Sequence, residues 1–118
     1  MMVILYFLLM TTWTKNMHFN RWDLWYTWVK FEDIKEEKRR PVLILQEHEL
    51  FVLSLQVTSR DTKYLSDYQL RDWQSAGLSI ESIVDTSRRL QLIHNDFDNR
   101  IGALSEYDIL NLQFMISR

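Results

Sequence analysis

The chain has 118 residues, 14 of them basic and 16 acidic, with no cysteine, two glycines and one proline. That length suits a single domain, and the lack of cysteine excludes a disulfide scaffold, a thiolate metal site and a cysteine nucleophile. A formal charge of −2 excludes a generic nucleic-acid coat, which needs a basic excess, and an apolar fraction of 47% excludes a disordered tail.

Met1 to Met10 form an unbroken apolar run, followed by polar residues through Asn16. A spanning helix needs about 20 apolar residues. A secretory signal needs a basic segment before the run and a small-residue cleavage site after it, and neither is present. Residues 1–16 are therefore read as an upstream-translated or disordered extension, with the domain occupying 17–118 and no stable membrane association. The rival reading is an apolar strand or a membrane-touching anchor.

Trp22 to Phe31 is dense in aromatic and β-branched residues and predicts a long strand. Glu32 to Arg40 is a charged connection, and Pro41 falls at the start of a second strand, where its missing N–H does no harm. Val42 to Leu45 is apolar at every position, the pattern of a strand covered on both sides. A polar tip at Gln46–Glu49 leads into a third strand, Leu50 to Thr58. Ser59 to Ser66 reads as a loop, and Gly77 is suited to a positive-φ turn. Ile80–Val84 and Leu90–Ile93 predict two strands around a polar turn at Asp85–Arg89. His94–Arg100 reads as a loop and Ile101–Leu104 as a short strand. Ser105, with Asp108 three residues on, marks a helix start, after which Ile109, Leu112 and Ile116 share a face. Short consecutive strands closed by one helix predict a mostly β fold, a small bent antiparallel barrel.

Four motifs, in order, carry a resemblance to a known family. They are Asp23-Leu24-Trp25 in the first strand, Lys38-Arg39-Arg40-Pro41-Val42-Leu43-Ile44-Leu45, the strand end Leu55-Gln56-Val57-Thr58-Ser59, and Leu70-Arg71-Asp72-Trp73 with Ala76-Gly77-Leu78 and Ile101-Gly102-Ala103-Leu104-Ser105. From about Trp22 to Ile116 the chain resembles the MazF/PemK toxins of type II toxin–antitoxin systems. Trp22 stands where that family usually has glycine, and the first loop, Glu32 to Lys38, is acidic. The resemblance implies an SH3-like (MazF/PemK/CcdB-type) barrel with a C-terminal helix. It also implies a cytoplasmic homodimer acting as a metal-independent, sequence-specific endoribonuclease on single-stranded mRNA, neutralised by a cognate antitoxin. The alternative is a non-catalytic module of the same fold, a degenerate toxin or a CcdB-like gyrase inhibitor.

RNA can be cut without a metal because its own 2′-OH attacks the adjacent phosphorus. The protein must then stabilise a crowded anion, a task suited to a guanidinium fork and a nearby hydroxyl. By resemblance those roles fall on Arg40 and Thr58. If the second and third strands form a hairpin, both residues lie at its open end, away from the Gln46–Glu49 turn. Taken alone, Arg40 in the run Lys38-Arg39-Arg40 reads as solvated charge. Lys38, Arg39, Ser59 and Arg60 flank the pair as candidate RNA contacts. No metal or cofactor is expected, since His18, His48 and His94 lack any ligand spacing and the aspartates fall in loop-like sequence. Most of the aromatics Trp22, Trp25, Tyr26, Trp28 and Phe31 are expected to fill the core, leaving one or two for a partner surface.

Overall fold

The β-branched and aromatic segments form strands as anticipated, and their pairing decides where each face is buried. The structure, a computed structural model, describes residues 18–29 and 38–117, so the expectations for residues 1–16 lie outside it. Among these residues six strands, β1 (Asp23–Val29), β2 (Lys38–Glu47), β3 (Val52–Thr58), β4 (Asp67–Gln69), β5 (Ile83–Leu92) and β6 (Phe97–Ala103), precede one helix, α1 (Glu106–Ile116). They pair antiparallel in the order β4-β5-β3-β2-β1-β6.

Val42, Leu43, Ile44 and Leu45 are all buried, because side chains cover both faces of β2. On one face Leu24, Leu43, Leu55, Val57 and Val84 pack against Leu70, Ala76, Leu78, Leu104 and Leu112. On the other, Phe19, Trp25, Val42, Ile44, Val52, Leu90 and Phe97 form a second cluster. Among the described residues the sheet does not close into the barrel anticipated from the strand count, and β4 and β6 stand at its edges. β4 has only three residues, and the larger core is completed by side chains from the 70–78 segment and α1 instead of by a further ladder.

Three local readings change. Asp85–Arg89 is not a turn between two strands but part of the ten-residue β5. Opposite it, the register jumps from Leu55↔Arg89 to Gln56↔Asp85, so a bulge absorbs the polar residues 86–88. Residues 97–100 belong to β6, after a single 3₁₀ turn at His94–Asp96. β2 also begins three residues before Pro41, held there by β1.

Trp22 adopts φ +72°, a left-handed conformation that costs a bulky side chain about 1 kcal/mol. It is held from both sides: its N–H donates to Ile44 O at 2.8 Å and its carbonyl accepts from Leu104 N at 3.0 Å. Gly102 in β6 lies against the Ala76 turn, where an added Cβ would overlap the Ala76 carbonyl oxygen and come within 2.9 Å of its carbon. Gly102→Ala is expected to destabilise the fold by about 2–3 kcal/mol. Urea unfolding checks this, and a midpoint equal to the parent's would show that strand and turn can separate freely.

Candidate active site

β2 and β3 pair from Glu47↔Val52 to Val42↔Gln56 and then part. Pro41, the next residue of β2, has no N–H to continue the ladder. Beyond this point residues 38–41 pair with β1 alone, and Val57 and Thr58 with β5 alone. Continuing the last shared register by two residues would set Arg40 level with Thr58, with both side chains on one face. The opening holds a cavity of about 220 Å³, lined by Arg39, Arg40, Pro41, Val57, Thr58 and Ser59, by Tyr26 of β1, and by residues 78–80 and 82 of the segment before β5. Arg40 and Thr58 are both half-buried, so they can meet a ligand and are screened by solvent only in part.

Four of the sequence-selected residues therefore come together: Arg39, Arg40, Thr58 and Ser59. Arg39 is fixed in place, its Nε donating to Asp98 Oδ2 at 2.7 Å and its guanidinium lying 4.1 Å from the Tyr26 ring centroid. The side chain of Lys38 lies outside the described residues. Arg60 does not line the cavity. Its Nη1 and Nη2 donate to the two oxygens of Asp67 at 2.6 and 2.9 Å, and Nη2 lies 3.7 Å from Asp85. β4 and β5 place those two aspartates directly opposite each other, and Arg60 bridges them, offsetting one of the two negative charges.

The Asp67 carboxyl is held down at about 2, first by the Arg60 hydrogen bonds and also by the backbone N–H groups of Lys63 and Tyr64. A carboxyl depressed in the folded state stabilises it fully above its unfolded value of 3.8, and the contribution is lost as pH falls toward 2. The urea midpoint is accordingly expected to drop between pH 4 and pH 2. In Asp67→Asn this part of the pH dependence should flatten; an unaltered slope would place the acid sensitivity elsewhere.

The sequence reading missed the cavity's far wall, Leu78 to Ser82, and the group that anchors it. Asp108, fully buried, accepts hydrogen bonds from Tyr68 Oη (2.7 Å) and Arg71 N (3.0 Å) on one oxygen and from Asp72 N (2.9 Å) on the other. Its own N–H donates to Ser105 Oγ at 3.2 Å, the cap expected from the sequence. Burial and the Asp108 hydrogen bond both raise the Tyr68 hydroxyl pKa, keeping it a donor. The helix start thus fixes the turn at 70–72, and Gly77 (φ +98°) redirects the chain into the cavity wall.

A model of the family described as PemK-like, MazF-like toxin of type II toxin–antitoxin system matches residues 20–117. No curated protein sequence matches the chain significantly. Among solved structures, an endoribonuclease from a mycobacterial species is similar at TM-score 0.65 and 12% identity, over 86% of this chain and 90% of that one. The Mycobacterium tuberculosis toxin MazF-mt6 is similar at 0.62 and 20%, over 79% and 92%. The MazF of a MazE–MazF structure from Deinococcus radiodurans is similar at 0.64 and 14%, over 86% and 95%. At these identities the structural likeness establishes the fold. Among the described residues no helix is long and apolar enough to cross a membrane.

Proposed function

The chain belongs to the PemK-like, MazF-like toxin family of type II toxin–antitoxin systems, and from that membership we propose that it is an endoribonuclease cutting single-stranded mRNA at a short sequence. The observation that carries the reading is the cavity at the parting of β2 and β3, which gathers Arg40 and Thr58 in one opening. A ribose 2′-OH gives up its proton as its oxygen attacks the adjacent phosphorus, the P–O5′ bond breaks with a proton taken up at the leaving O5′, and the products are a 2′,3′-cyclic phosphate and a 5′-hydroxyl. Arg40 binds two phosphoryl oxygens through its planar fork as negative charge builds on them. The Thr58 hydroxyl donates a further hydrogen bond to the same oxygens.

Guanidinium and hydroxyl groups line the cavity among the described residues, and the proposed reaction uses them without a metal. A cognate antitoxin follows from the family, as the similar Deinococcus toxin occurs with MazE. A homodimer working in the cytoplasm completes the proposal.

The test is incubation of the protein with a long mixed-sequence RNA in excess EDTA, with fragment ends mapped. Cuts at one recurring short motif are expected. Thr58→Val, which keeps the side-chain shape and removes the hydroxyl, should slow them by about a hundredfold. Intact RNA from folded protein would overturn the assignment in favour of the non-catalytic module.

A further inference from the structure

Thr27 carries a polar atom that neither the core nor the cavity uses. It is fully buried in β1, and its Oγ1 meets no hydrogen-bond partner among the described residues. A sealed hydroxyl is destabilising until it finds a partner, and valine, of the same shape, fills such a space without that cost. In the sheet Thr27 stands between Phe97 of β6 and Arg40 of β2, directly opposite each. Residues opposed in this way point to one face of the sheet, with Cβ atoms about 5 Å apart. Phe97 offers the hydroxyl only an apolar ring, so Arg40 is its polar neighbour in register. The Nε of Arg40 is itself shielded from solvent, so that edge of the guanidinium faces protein. Trp25, two residues back on the same face, also buries an indole N–H, but that group can only donate, as can a guanidinium. The Thr27 oxygen can accept.

We propose that Thr27 is a positioning residue for Arg40: when RNA is bound, its hydroxyl oxygen accepts a hydrogen bond from Arg40 Nε–H and leaves both Nη groups to the phosphoryl oxygens. A guanidinium on its long stem can turn through many orientations, and only some present the Nη pair squarely to a phosphate. Fastening Nε on the strand side fixes the plane of the fork before negative charge builds. Such preorganisation is what makes a donor worth more in the transition state than in the ground state. Thr27 does not line the cavity, so it acts through Arg40 and not on the RNA.

The inference rests on the ribonuclease reading, and the test keeps the two apart. The full chain, Thr27→Val and Thr27→Ser are compared by urea unfolding, by steady-state RNA cleavage and by the NMR signal of Arg40 Nε–H. Valine keeps the shape and loses the oxygen, whereas serine keeps the oxygen and loses a methyl group. Stability should therefore place valine at or above the parent and serine below it. Cleavage should run the other way: kcat about tenfold down in Thr27→Val with KM within about twofold, and largely restored in Thr27→Ser. A purely structural role would make cleavage follow stability, and that result would overturn the proposal. The NMR signal is followed as RNA with non-cleavable 2′-O-methyl riboses is added. It should become protected from solvent exchange in the parent and in Thr27→Ser, and stay unprotected in Thr27→Val. A signal that responds alike in all three proteins, or in none, would also overturn the inference. Intact RNA from a parent whose Arg40 signal depends on Thr27 would remove the nuclease reading and leave the positioning role standing.

Discussion

Arg40→Ala is expected to lower RNA cleavage about a thousandfold while leaving the urea midpoint close to the parent's. On the proposed mechanism the loss is large because one group would bind two oxygens in a partly buried site, where a preorganised donor is worth far more than in water. The fold survives because Arg40 is half-buried and belongs to neither apolar cluster. Its strand is fixed by Thr27↔Arg40 and the neighbouring β1 pairs, which are backbone interactions. Arg40→Lys should recover little, since a point charge cannot reproduce two parallel donors. Steady-state cleavage of one RNA by the parent and both variants decides this, and an alanine variant as active as the parent would move the chemistry out of the cavity.

Asp108→Ala should cost about 3–4 kcal/mol, more than Gly102→Ala. It strands Tyr68 Oη, Arg71 N and Asp72 N, three donors that share one buried carboxylate. It also removes the acceptors of the Ser105 hydroxyl at the helix start in part, leaving Asp72 Oδ2 at 2.6 Å. Because the 70–72 turn leads into the Leu78–Ser82 wall, cleavage should fall along with stability. Asp108→Asn keeps one carbonyl acceptor and should lose about half as much. Urea unfolding of both variants tests the network, and a loss below about 1 kcal/mol in the alanine variant would show that solvent replaces the carboxylate.

Local pattern made some of this readable in advance. Val42–Leu45 announced a strand buried on both faces, Ser105 announced the helix cap, and the hairpin argument put Arg40 and Thr58 at one open end. What escaped depends on contacts between distant segments. Arg60 looks like Arg39 and Arg40 in sequence, yet the opposed aspartates of β4 and β5 claim it. Polar residues 86–88 resemble a turn because nothing local distinguishes a turn from a bulge in a continuous strand. β4 is only three residues long and pairs with β5 alone among the described strands, and nothing local in its sequence marks that length. Trp22 was visible as a departure at a glycine position, but the φ of +72° it must adopt is set by its bonds to Ile44 and Leu104.

The central claim is cleavage by the substrate's own 2′-OH at the Arg40–Thr58 cavity. The most direct measurement uses an RNA oligonucleotide containing the mapped motif beside a twin with a single 2′-deoxyribose on the 5′ side of the cut junction, both in excess EDTA. The all-ribose strand should be cut to a 2′,3′-cyclic phosphate and a 5′-hydroxyl, and its twin should stay intact. Cleavage of the deoxy twin at the same junction, or cleavage of the all-ribose strand only after divalent metal is restored, would contradict the account.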